Sequence, residues 1–509
     1  MKRKIVLYPI FFVIGFLITV DIPLLDVPLL YGLLLLLLAA VWWGAYRVTK
    51  DGHRAGFLTT LIMGWALYYG TASYVLVSLF DLDSPPVVYL LLLVPWTMIF
   101  LFLGSKFFWS RIGSAPSMVT YLNLTTAAML LFYGYQVAKI EAHAFVDTSD
   151  LLASDKAGTT EATSRPDIYY IILDAYARAD VLEEMYGYDN AEFVRFLSER
   201  GFYIASQSRS NYMNTELSLA SSLNMSYLRS LSTGRLTRAS VLKRLIAGSQ
   251  VRSRLESLGY QIVTFSTPFY FTDITDADVF LSLKPDRART TYWLTQIVPR
   301  SAAAYLFWAG IISPSNETYR DHQERIMYMF DQLGGEIPTL PGPKFVFAHF
   351  IAPHTPYVFD ENGPVTPAKP YAQDPQTNAE EMRSYTGQLA YINPLVEQMI
   401  DDILRNSASP PIIIIQADHG GNLYYSSRSK DDTCLKERAS ILNAYYLPGL
   451  EHTPLYESIT PVNSFRIVFN EYFGTQYEIV EDEVYYSGRV EHYQFTDVTK
   501  DSEQPCQLP

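Results

Sequence analysis

The sequence predicts two parts: an N-terminal α-helical transmembrane bundle of five helices and, after it, an extracytoplasmic α/β domain with a largely parallel sheet. Three observations support this prediction. Five long apolar stretches fall within the first 145 of the 509 residues. After residue 166, short apolar runs rich in β-branched residues alternate with helical patterns. One of these runs ends in an aspartate and a histidine followed by two glycines. A chain this long is also expected to form at least two domains.

Most of the apolar stretches approach the length of a membrane-spanning helix, which is ~20 residues. They cover about 5–20, 28–46, 56–80, 87–107 and 117–138. The first follows the basic start Met1-Lys-Arg-Lys, as in a signal peptide, but no small-residue cleavage site comes after it. We therefore interpret it as a retained helix and assign residues 1–145 to an integral membrane domain.

The charged residues between these stretches alternate in sign. In chain order they are basic (Lys2, Arg3, Lys4), acidic (Asp21, Asp26), basic (Arg47, Lys50, Arg54), acidic (Asp81, Asp83) and basic (Lys106, Arg111). Because basic loops stay in the cytoplasm, this pattern predicts a cytoplasmic N-terminus and an outward exit after the fifth helix. The protein is therefore predicted to be multi-pass in the cytoplasmic (inner) membrane, with its large C-terminal domain periplasmic or extracellular.

The rest of the chain is strongly acidic. Residues 1–145 contain nine Lys/Arg and six Asp/Glu, so the whole-chain net charge of −13 leaves −16 on the remainder. Such a charge argues against a nucleic-acid backbone as a partner. The sequence therefore predicts no nucleic-acid binding.

After the predicted membrane domain, a polar segment and two cysteines indicate how the rest of the chain is organised. Residues 146–165 are small and polar and predict a linker, which leaves 166–509 as one domain. Cys434 and Cys506 both lie on the predicted outer side, where an oxidising compartment would allow them to pair. Since their distance cannot be judged from sequence, a disulfide and two free thiols both stay open.

Strands and helices alternate through the C-terminal part. Strands are predicted at 167–173, 260–265, 345–350 and 412–415, with a helix from Asn190, as N-cap, through Arg200 to Gly201, and a second helix over 382–405 kinked at Pro394. This alternation predicts a largely parallel sheet, in which ligands bind beyond the carboxyl ends of the strands.

Polar residues follow three of these strands. Asp418-His419 ends the strand of four isoleucines, and an oxygen ligand beside an imidazole suits a divalent cation. The glycines that follow allow a sharp turn and leave room for a ligand. Asp174 ends the first strand, with Tyr176 and Arg178 beyond it, and His349 and His354 lie around a proline-rich loop.

Each of these residues has a structural alternative. Asp-His-Gly-Gly could be an ordinary turn, and Asp174 could cap a helix. His349 fits a satisfied core histidine better than a ligand, whereas His354, in a loop on a rigid scaffold, favours function. The hydroxyl- and amide-rich segment 211–224 contains Thr215 and Ser218, and it could equally be the first turn of a helix.

The order of these motifs resembles that of the alkaline phosphatase superfamily. Strand-Asp174, Thr215-x-x-Ser218, His354-x-Pro-Tyr and Ala-Asp418-His419-Gly follow one another along the chain. The branch that the chain is similar to is the sulfatase-like one, which includes lipoteichoic acid synthase and phosphoethanolamine transferases. Those members also place five transmembrane helices before an extracytoplasmic catalytic domain, so the resemblance extends over essentially the full chain.

The resemblance implies a role for each matching residue. Asp174, Thr215, Asp418 and His419 would bind a divalent metal ion, with Mn, Zn, Mg and Ca all open. Thr215 would also be the nucleophile, with Ser218 as the second choice. His354 would contact the phosphoryl oxygens or the leaving group. A metal-bound threonine hydroxyl has a lowered pKa, which is how a poor nucleophile becomes a competent one.

The resemblance also has departures. Sulfatases carry a Cys or Ser before x-Pro-Ser-Arg, which is converted to formylglycine, and nothing of this kind surrounds Thr215. Sulfatases usually begin with two adjacent aspartates, whereas Ala175 follows Asp174. Both differences disfavour sulfate-ester hydrolysis. Asp174 also occupies the position at which lipoteichoic acid synthase has a Glu. The substrate of lipoteichoic acid synthase is therefore not assigned to this chain.

These features favour an integral-membrane phosphotransferase. It would move a phosphoryl-linked head group from a membrane phospholipid donor to an envelope glycan or lipid acceptor, through a covalent threonine intermediate. Two alternatives stay open: an extracytoplasmic phosphate or sulfate ester hydrolase, and a catalytically silent envelope scaffold, because a fold does not guarantee activity.

Overall fold

The computed structural model describes residues 5–19, 28–79, 86–105, 116–153, 165–233, 239–283, 297–303, 316–365, 377–450, 454–488 and 493–506. The chain divides into two compact units. The first combines residues 1–142 with 286–313, and the second combines 143–285 with 314–509.

The first unit is built from apolar helices. They are α1 (Tyr8–Thr19), α2 (Pro28–Thr49), α3 (Gly52–Leu79), α4 (Pro86–Leu103) and the beginning of α5 (Pro116–Ala153). Within the described residues, two spans are long and apolar enough to cross a membrane, Tyr31–Thr49 and Gly52–Val77. Tyr8–Ile18 and Leu91–Leu103 are shorter apolar helices. Five membrane crossings therefore stay a prediction.

Polar side chains join these helices at a few points. The Trp65 indole donates to the Thr97 hydroxyl at 3.0 Å, and the Trp96 indole donates to the Trp65 carbonyl at 3.2 Å. The segment 297–303 returns to this unit, where the Ala302 N–H donates to the Ala66 carbonyl. The sequence pattern offered no sign of that return. Leu36 and Leu131 are 68% and 74% exposed, as expected for side chains that face lipid.

The predicted linker differs from what is observed. Residues 146–153 continue α5 as helix, and the rest of the linker, up to residue 164, lies outside the described residues.

The second unit contains a seven-stranded sheet in the order β2-β9-β8-β1-β5-β3-β4. Its strands are β1 (Ile168–Leu173), β2 (Tyr203–Ile204), β3 (Gln261–Phe265), β4 (Val279–Leu281), β5 (Lys344–Phe350), β8 (Ile412–Gln416) and β9 (Asn443–Tyr446). The pairs β8–β1, β1–β5, β5–β3 and β3–β4 are parallel. Near one edge, β9 pairs antiparallel with both β8 and β2, so β9 is the one described strand of this sheet that runs opposite to the others. The predicted largely parallel sheet is thus confirmed. Short ribbons pair β6 (Phe359–Asp360) with β7 (Gly363–Pro364) and β10 (Tyr485–Tyr486) with β11 (Thr496–Asp497).

Helices cover both faces of this sheet. They are α6 (Ala179–Tyr186), α7 (Ala191–Glu199), α8 (Thr215–Asn224), α9 (Ala239–Ala247), α10 (Gln250–Ser257), α11 (Asn316–Gly334), α12 (Asn378–Asn406), α13 (Leu435–Ala439) and α14 (Pro461–Phe473). Side chains alternate along β1: Tyr169 and Ile171 belong to one apolar core, while Tyr170 and Ile172 belong to the other. Burial on both faces explains why the central strands are apolar at nearly every position.

Asn190 does precede its helix as predicted, but it does not cap it. Its side chain makes no capping hydrogen bond. Instead, its amide donates to the Tyr176 hydroxyl at 3.0 Å, and its Oδ1 accepts from the Asn393 amide at 3.0 Å. A buried amide network between β1 and α12 therefore takes the place of the expected cap.

Candidate metal centre and active site

The parallel register of three neighbouring strands brings the predicted site residues to one edge of the sheet. Ile172 of β1 pairs with Gln416 of β8 and with His349 of β5. Since all three strands run in the same direction, Asp174 and Asp418 emerge side by side just beyond their carboxyl ends. This is the edge at which parallel sheets bind ligands.

Asp174 is fully buried between histidines. Its Oδ2 lies 3.1 Å from His349 Nε2, and His349 Nδ1 lies 3.1 Å from the Thr272 hydroxyl. Burial raises the pKa of the Asp174 carboxyl, but the interaction with His354 and the hydrogen bond from His349 outweigh it, and the pKa falls below its usual range. Asp174 is therefore held as a carboxylate.

Ala175 connects the two aspartates through a strained backbone. Its φ is +65°, in the left-handed region that alanine rarely adopts. In this conformation its N–H donates to Asp418 Oδ1 at 3.1 Å, while its carbonyl accepts from the Tyr385 hydroxyl at 2.7 Å. Strain of this kind costs of order 1–3 kcal/mol and is concentrated at functional sites.

Asp418 is a second buried carboxyl facing the first. Burial and the neighbouring charge of Asp174 raise the pKa of Asp418 above its ordinary value. Two carboxyls this close oppose each other's ionisation unless a cation lies between them. A cation between Asp174 and Asp418 would therefore stabilise both carboxylates.

His419 presents a lone pair to the same point. Its Nδ1 lies 2.9 Å from the Gly420 carbonyl, so Nδ1–H donates there and Nε2 is left unprotonated. Burial and the Arg438 charge hold the pKa of His419 well below its usual value, which keeps the ring neutral. Nε2 lies 3.3 Å from Asp418 Oδ2 and 3.6 Å from Asp174 Oδ1. A lone pair and carboxylate oxygens repel one another at these distances without an intervening cation.

The oxygen atoms that face His419 lack hydrogen bonds. Among the described residues, Asp174 Oδ1 and Asp418 Oδ2 are buried with no hydrogen-bond partner, a costly state that native proteins rarely tolerate. Ligand atoms of Asp174, His354 and His419 lie within 4.8 Å of one another, as do those of Asp174, His349 and Asp418. The carboxylate oxygens and imidazole nitrogens fit a divalent cation of the zinc or manganese type.

Thr215 completes this cluster from a helix. It is the first residue of α8, it is buried, and its hydroxyl lies 3.3 Å from His419 Nε2. Ser218 lies one turn further along and is also buried, and within the described part of the chain its hydroxyl has no partner. Other polar residues of segment 211–224 are structural: Ser222, for example, bonds the Tyr170 hydroxyl at 2.7 Å.

His354 faces the centre from the side of solvent and is partly exposed. Its backbone N–H donates to the Asp174 carbonyl at 3.0 Å, and its ring lies 6.0 Å from the His419 ring. Its Nδ1 is bonded to the Thr355 carbonyl, which directs Nε2 away from its own loop. The amide of Gln388 on α12 donates to the His354 carbonyl at 3.2 Å and holds the loop in place.

Two residues beside Asp174 in the sequence turn out to serve the scaffold. The Tyr176 hydroxyl is buried and donates to Asn393 at 2.8 Å. Arg178 pairs with Asp180 at 2.7 Å and donates to the Ser208 carbonyl at 3.0 Å. Their contacts are thus with neighbouring helices and loops.

The structure adds a residue that sequence reasoning missed. Arg438 is buried, and its guanidinium donates to the Met213 carbonyl at 2.8 Å, to the Gly420 carbonyl at 3.4 Å and to Asn422 Oδ1. It therefore joins the segment before Thr215 to the loop after His419. Nothing in Lys436-Glu-Arg-Ala distinguishes it from an exposed helical turn, so the sequence carried no signal for it.

His349 also has a larger role than predicted. It is a buried histidine with both ring nitrogens bonded, as the sequence suggested, yet one of its partners is the Asp174 carboxylate. It thereby orients a proposed metal ligand, in the way that outer-shell partners commonly do.

The glycines after His419 accommodate protein rather than ligand. A Cβ on Gly420 would lie 2.1 Å from the Glu437 carbonyl oxygen, and one on Gly421 would lie 2.0 Å from the Tyr186 hydroxyl. The expectation that both glycines leave room for a ligand is therefore wrong: their small size lets α13 and α6 approach the loop. The disulfide that the sequence left open joins Cys434, at the start of α13, to Cys506, with Cα atoms 5.2 Å apart.

An α/β domain with a mixed carboxylate, imidazole and threonine cluster at its carboxyl edge defines an alkaline phosphatase-like enzyme domain. Residues 166–468, more than half of the chain, match the sulfatase family model, and the chain belongs to this family. The predicted resemblance is thus confirmed. No curated protein matches the chain.

Solved structures similar to this chain include transferase and sulfatase domains. The C-terminal periplasmic domain of EcEptC from Escherichia coli, in complex with Zn, is 13% identical, with 67% of this chain and 95% of that chain covered and a TM-score of 0.43. The soluble domain of lipooligosaccharide phosphoethanolamine transferase A from Neisseria meningitidis is 12% identical (62% and 90% covered, TM-score 0.36). A putative sulfatase from Bacteroides thetaiotaomicron is 14% identical (65% and 75% covered, TM-score 0.40).

Proposed function

We propose that the protein is a metal-dependent membrane phosphotransferase that moves a phosphoryl-linked head group from a phospholipid donor to an envelope glycan or lipid. The observation that carries this proposal is the Thr215 hydroxyl, 3.3 Å from His419 Nε2, beside two buried carboxylate oxygens that have no hydrogen-bond partner within the described chain. A threonine there is a nucleophile rather than a packing residue.

The residues that would hold the metal ion are Asp174, Thr215, Asp418 and His419. A bound divalent ion would lower the pKa of the Thr215 hydroxyl and neutralise charge on the phosphoryl oxygens. The position of Thr215 at the N-terminus of α8 adds the positive end of the helix dipole, which favours the monoanionic phosphodiester between Thr215 and the head group that would form there.

The protein residues divide the reaction into two balanced steps. Thr215 Oγ, having lost its proton to solvent, forms a bond to phosphorus as the bond from phosphorus to the diacylglycerol oxygen breaks, and His354 gives a proton to that oxygen. In the second step His354 takes a proton from the acceptor hydroxyl, whose oxygen bonds to phosphorus as the bond to Thr215 breaks, and the released Thr215 oxygen regains a proton from solvent. His354 is partly exposed, so it can exchange protons with the leaving diacylglycerol oxygen and with the acceptor hydroxyl.

Threonine at this position favours phosphoryl over sulfuryl transfer. The formylglycine of sulfatases derives from Cys or Ser in a specific surrounding sequence, and Thr215-Glu-Leu-Ser lacks that surrounding. The apolar N-terminal helices suit a donor that stays in the bilayer, because a lipid head group presented at the membrane surface then needs no extraction.

Hydrolysis is the second candidate, and one observation favours it. His354 and Thr355 are both partly exposed, so water can reach the phosphorus that a phosphothreonine would carry. The same residues would then make the protein a phosphate ester hydrolase. The silent scaffold is less well supported, because unpartnered carboxylate oxygens are costly to keep without a cation.

The test is metal-dependent release of diacylglycerol by the full-length protein in detergent, with mixed phospholipids, Mn²⁺ or Zn²⁺, and a chelator control. Thr215→Ala should lower release by at least about a thousandfold, and Ser218→Ala, one turn along the same helix, is the matched control. His419→Ala should also reduce the amount of metal that co-purifies, measured by elemental analysis. Full turnover by Thr215→Ala with loss in Ser218→Ala would assign the nucleophile to Ser218.

A labelled head group separates the two candidates. Transfer of the label to an added glycan or lipid supports the transferase, whereas release of the free phosphorylated head group supports the hydrolase. Absence of both activities, in protein that binds no metal, would leave the scaffold.

A further inference from the structure

The start of α8, which carries the Thr215 hydroxyl, is not fixed by a side-chain cap. The residue before Thr215 is Asn214, a type that often caps a helix, but its side chain makes no capping hydrogen bond. It contacts other segments instead: its amide donates to Ser487 Oγ at 3.1 Å, and its Oδ1 accepts from the Tyr425 hydroxyl at 3.1 Å. Contacts from outside the helix therefore help to determine where its first turn lies.

Arg438 makes the adjoining contact, one residue earlier in the chain. Its Nε donates to the Met213 carbonyl at 2.8 Å, two residues before Thr215. Its Nη1 donates at 3.4 Å to the carbonyl of Gly420, the residue that directly follows His419. One guanidinium thus binds both the segment before the proposed nucleophile and the loop after a proposed metal ligand.

The plane of this guanidinium is also fixed by packing. Arg438 is buried, and its guanidinium carbon lies 4.2 Å from the centre of the Tyr425 ring. Burial of a charged group is costly unless its hydrogen bonds are well made. A planar guanidinium can donate in two directions at once, which the single ammonium of a lysine on a flexible stem does not reproduce. The contacts of Arg438 are therefore specific to arginine.

We propose that Arg438 is a positioning residue that keeps the Thr215 hydroxyl at the proposed metal centre. The inference rests on the proposed function and adds to it a residue that acts through Thr215. The Thr215 hydroxyl lies 3.3 Å from His419 Nε2, although the two residues are 204 positions apart in the chain. Arg438 joins their two segments directly. Because a misplacement of about 1 Å can lower a rate about a hundredfold, loss of this link should affect turnover more than substrate affinity.

Two matched substitutions separate positioning from general support of α8. Arg438→Lys keeps the positive charge but loses the planar group that binds both segments. The control is Arg466→Lys, because Arg466 Nε donates at 2.8 Å to the carbonyl of Met225, which directly follows the last residue of α8. Each change removes a guanidinium from one end of the same helix, but Thr215 lies at the end that Arg438 binds.

A spectrum reports the placement of residue 215 without requiring turnover. Full-length protein with Thr215→Cys is loaded with Co²⁺, and the natural cysteines stay paired in their disulfide. A thiolate bound to cobalt gives a charge-transfer band in the near ultraviolet, whereas bound cobalt as such is measured by elemental analysis. Adding Arg438→Lys should remove most of this band at unchanged cobalt content, and adding Arg466→Lys should leave it. Tyr425→Phe, a smaller change that removes the bond to Asn214, should weaken the band.

Kinetics with the natural Thr215 tests the consequence for the reaction. In the diacylglycerol assay, Arg438→Lys should lower kcat about 10- to 100-fold and leave KM for the lipid unchanged. A full charge-transfer band in the cysteine background and a full kcat would overturn the inference, and so would loss of the cobalt together with the band. If the wild type releases no diacylglycerol but Arg438→Lys still removes the band, the inference stands and the proposed transferase fails. Absence of the band in Thr215→Cys alone would count against both.

Discussion

The centre of the site is a set of charges that the protein leaves unbalanced. Asp174 and Asp418 are both fully buried, and their free oxygens converge on the unprotonated Nε2 of His419. Elsewhere buried charges are compensated within the protein: Lys344 pairs with Asp167 and with the carbonyls of Pro338 and Leu340. Only a cation between the two aspartates would give this site a comparable balance.

The buried imidazole of His322 leads to a prediction about how the stability of the fold depends on pH. It is buried on α11, with Nε2 3.1 Å from the Ile351 carbonyl and Nδ1 3.4 Å from the Arg325 guanidinium. Burial and, second, the Arg325 charge lower the pKa of His322 from its ordinary value of 6.5 to about 3. The ring is therefore neutral in the folded protein at neutral pH, where Nε2–H donates to Ile351 and Nδ1 accepts from Arg325.

The sign of the effect follows from proton uptake on unfolding. Between pH 6.5 and about 3 the unfolded chain binds a proton that the folded chain excludes, so stability is complete above pH 6.5 and is lost as pH falls. The loss is about 2 kcal/mol by pH 5. His322→Gln keeps a donor and an acceptor without titrating, so its unfolding temperature should fall less steeply from pH 7 to pH 5. Parallel curves for the two proteins would contradict this account.

At the scale of elements, α13 holds the loop that carries His419. Glu437 accepts from the N–H groups of Leu423 and Tyr424 at 2.8 and 2.9 Å, and Arg438 binds the Gly420 carbonyl. This helix has only five residues and is too short to be stable alone. The disulfide from Cys434 to Cys506 anchors the residue that precedes this helix to the C-terminal segment.

The double variant Cys434→Ser with Cys506→Ser should therefore lose stability. The disulfide joins residues 72 positions apart, and removing a cross-link over such a loop typically costs about 2–4 kcal/mol. We expect a lower unfolding temperature and weaker metal binding, because the Asp418-His419 loop loses its support. A reducing agent should lower the unfolding temperature of the wild type and leave that of the variant unchanged. An equal response in both proteins would show that the bond does not stabilise the fold.

Elements with strong local patterns could be predicted from the sequence. The β-branched run of β8 and the helical spacing of α12 indicated their positions to within a few residues, and so the aspartates that follow β1 and β8 could be placed at one edge. The two- to four-residue strands β2, β4 and β9 could not, because their pairing depends on distant partners rather than on local pattern.

The site residues also divide into those with a local sequence signal and those that depend on distant partners. Asp174, Asp418 and His419 stood out because each follows a strand with a recognisable pattern, whereas Thr215 was assigned from the motif order that resembles the family. Arg438 and the contact from His349 to Asp174 depend on residues 225 and 175 positions apart in the chain. Polar partners at such separations leave no trace in spacing or periodicity.

At the scale of the whole molecule, the number of membrane crossings decides on which side the catalytic unit lies. The charges between the apolar stretches predict five crossings, an odd number, and an outward catalytic unit. Two described spans meet the length and hydropathy requirements for crossing, and an even number would return the catalytic unit to the side of the N-terminus. The disulfide favours the outward arrangement, since such bonds persist in oxidising compartments.

Labelling with a membrane-impermeant maleimide tests this directly. In the variant that lacks both natural cysteines, single substitutions Lys50→Cys, Asp83→Cys and Ser154→Cys report on the second connection, the third connection and the segment after the fifth helix of the predicted topology. Intact cells without an outer barrier should label Asp83→Cys and Ser154→Cys, and Lys50→Cys should react only after permeabilisation, because positive loops remain in the cytoplasm. Protection of Ser154→Cys would place the catalytic unit inside, where an envelope acceptor is out of reach, and the proposed transfer to the envelope would then be wrong even if the metal centre were correct.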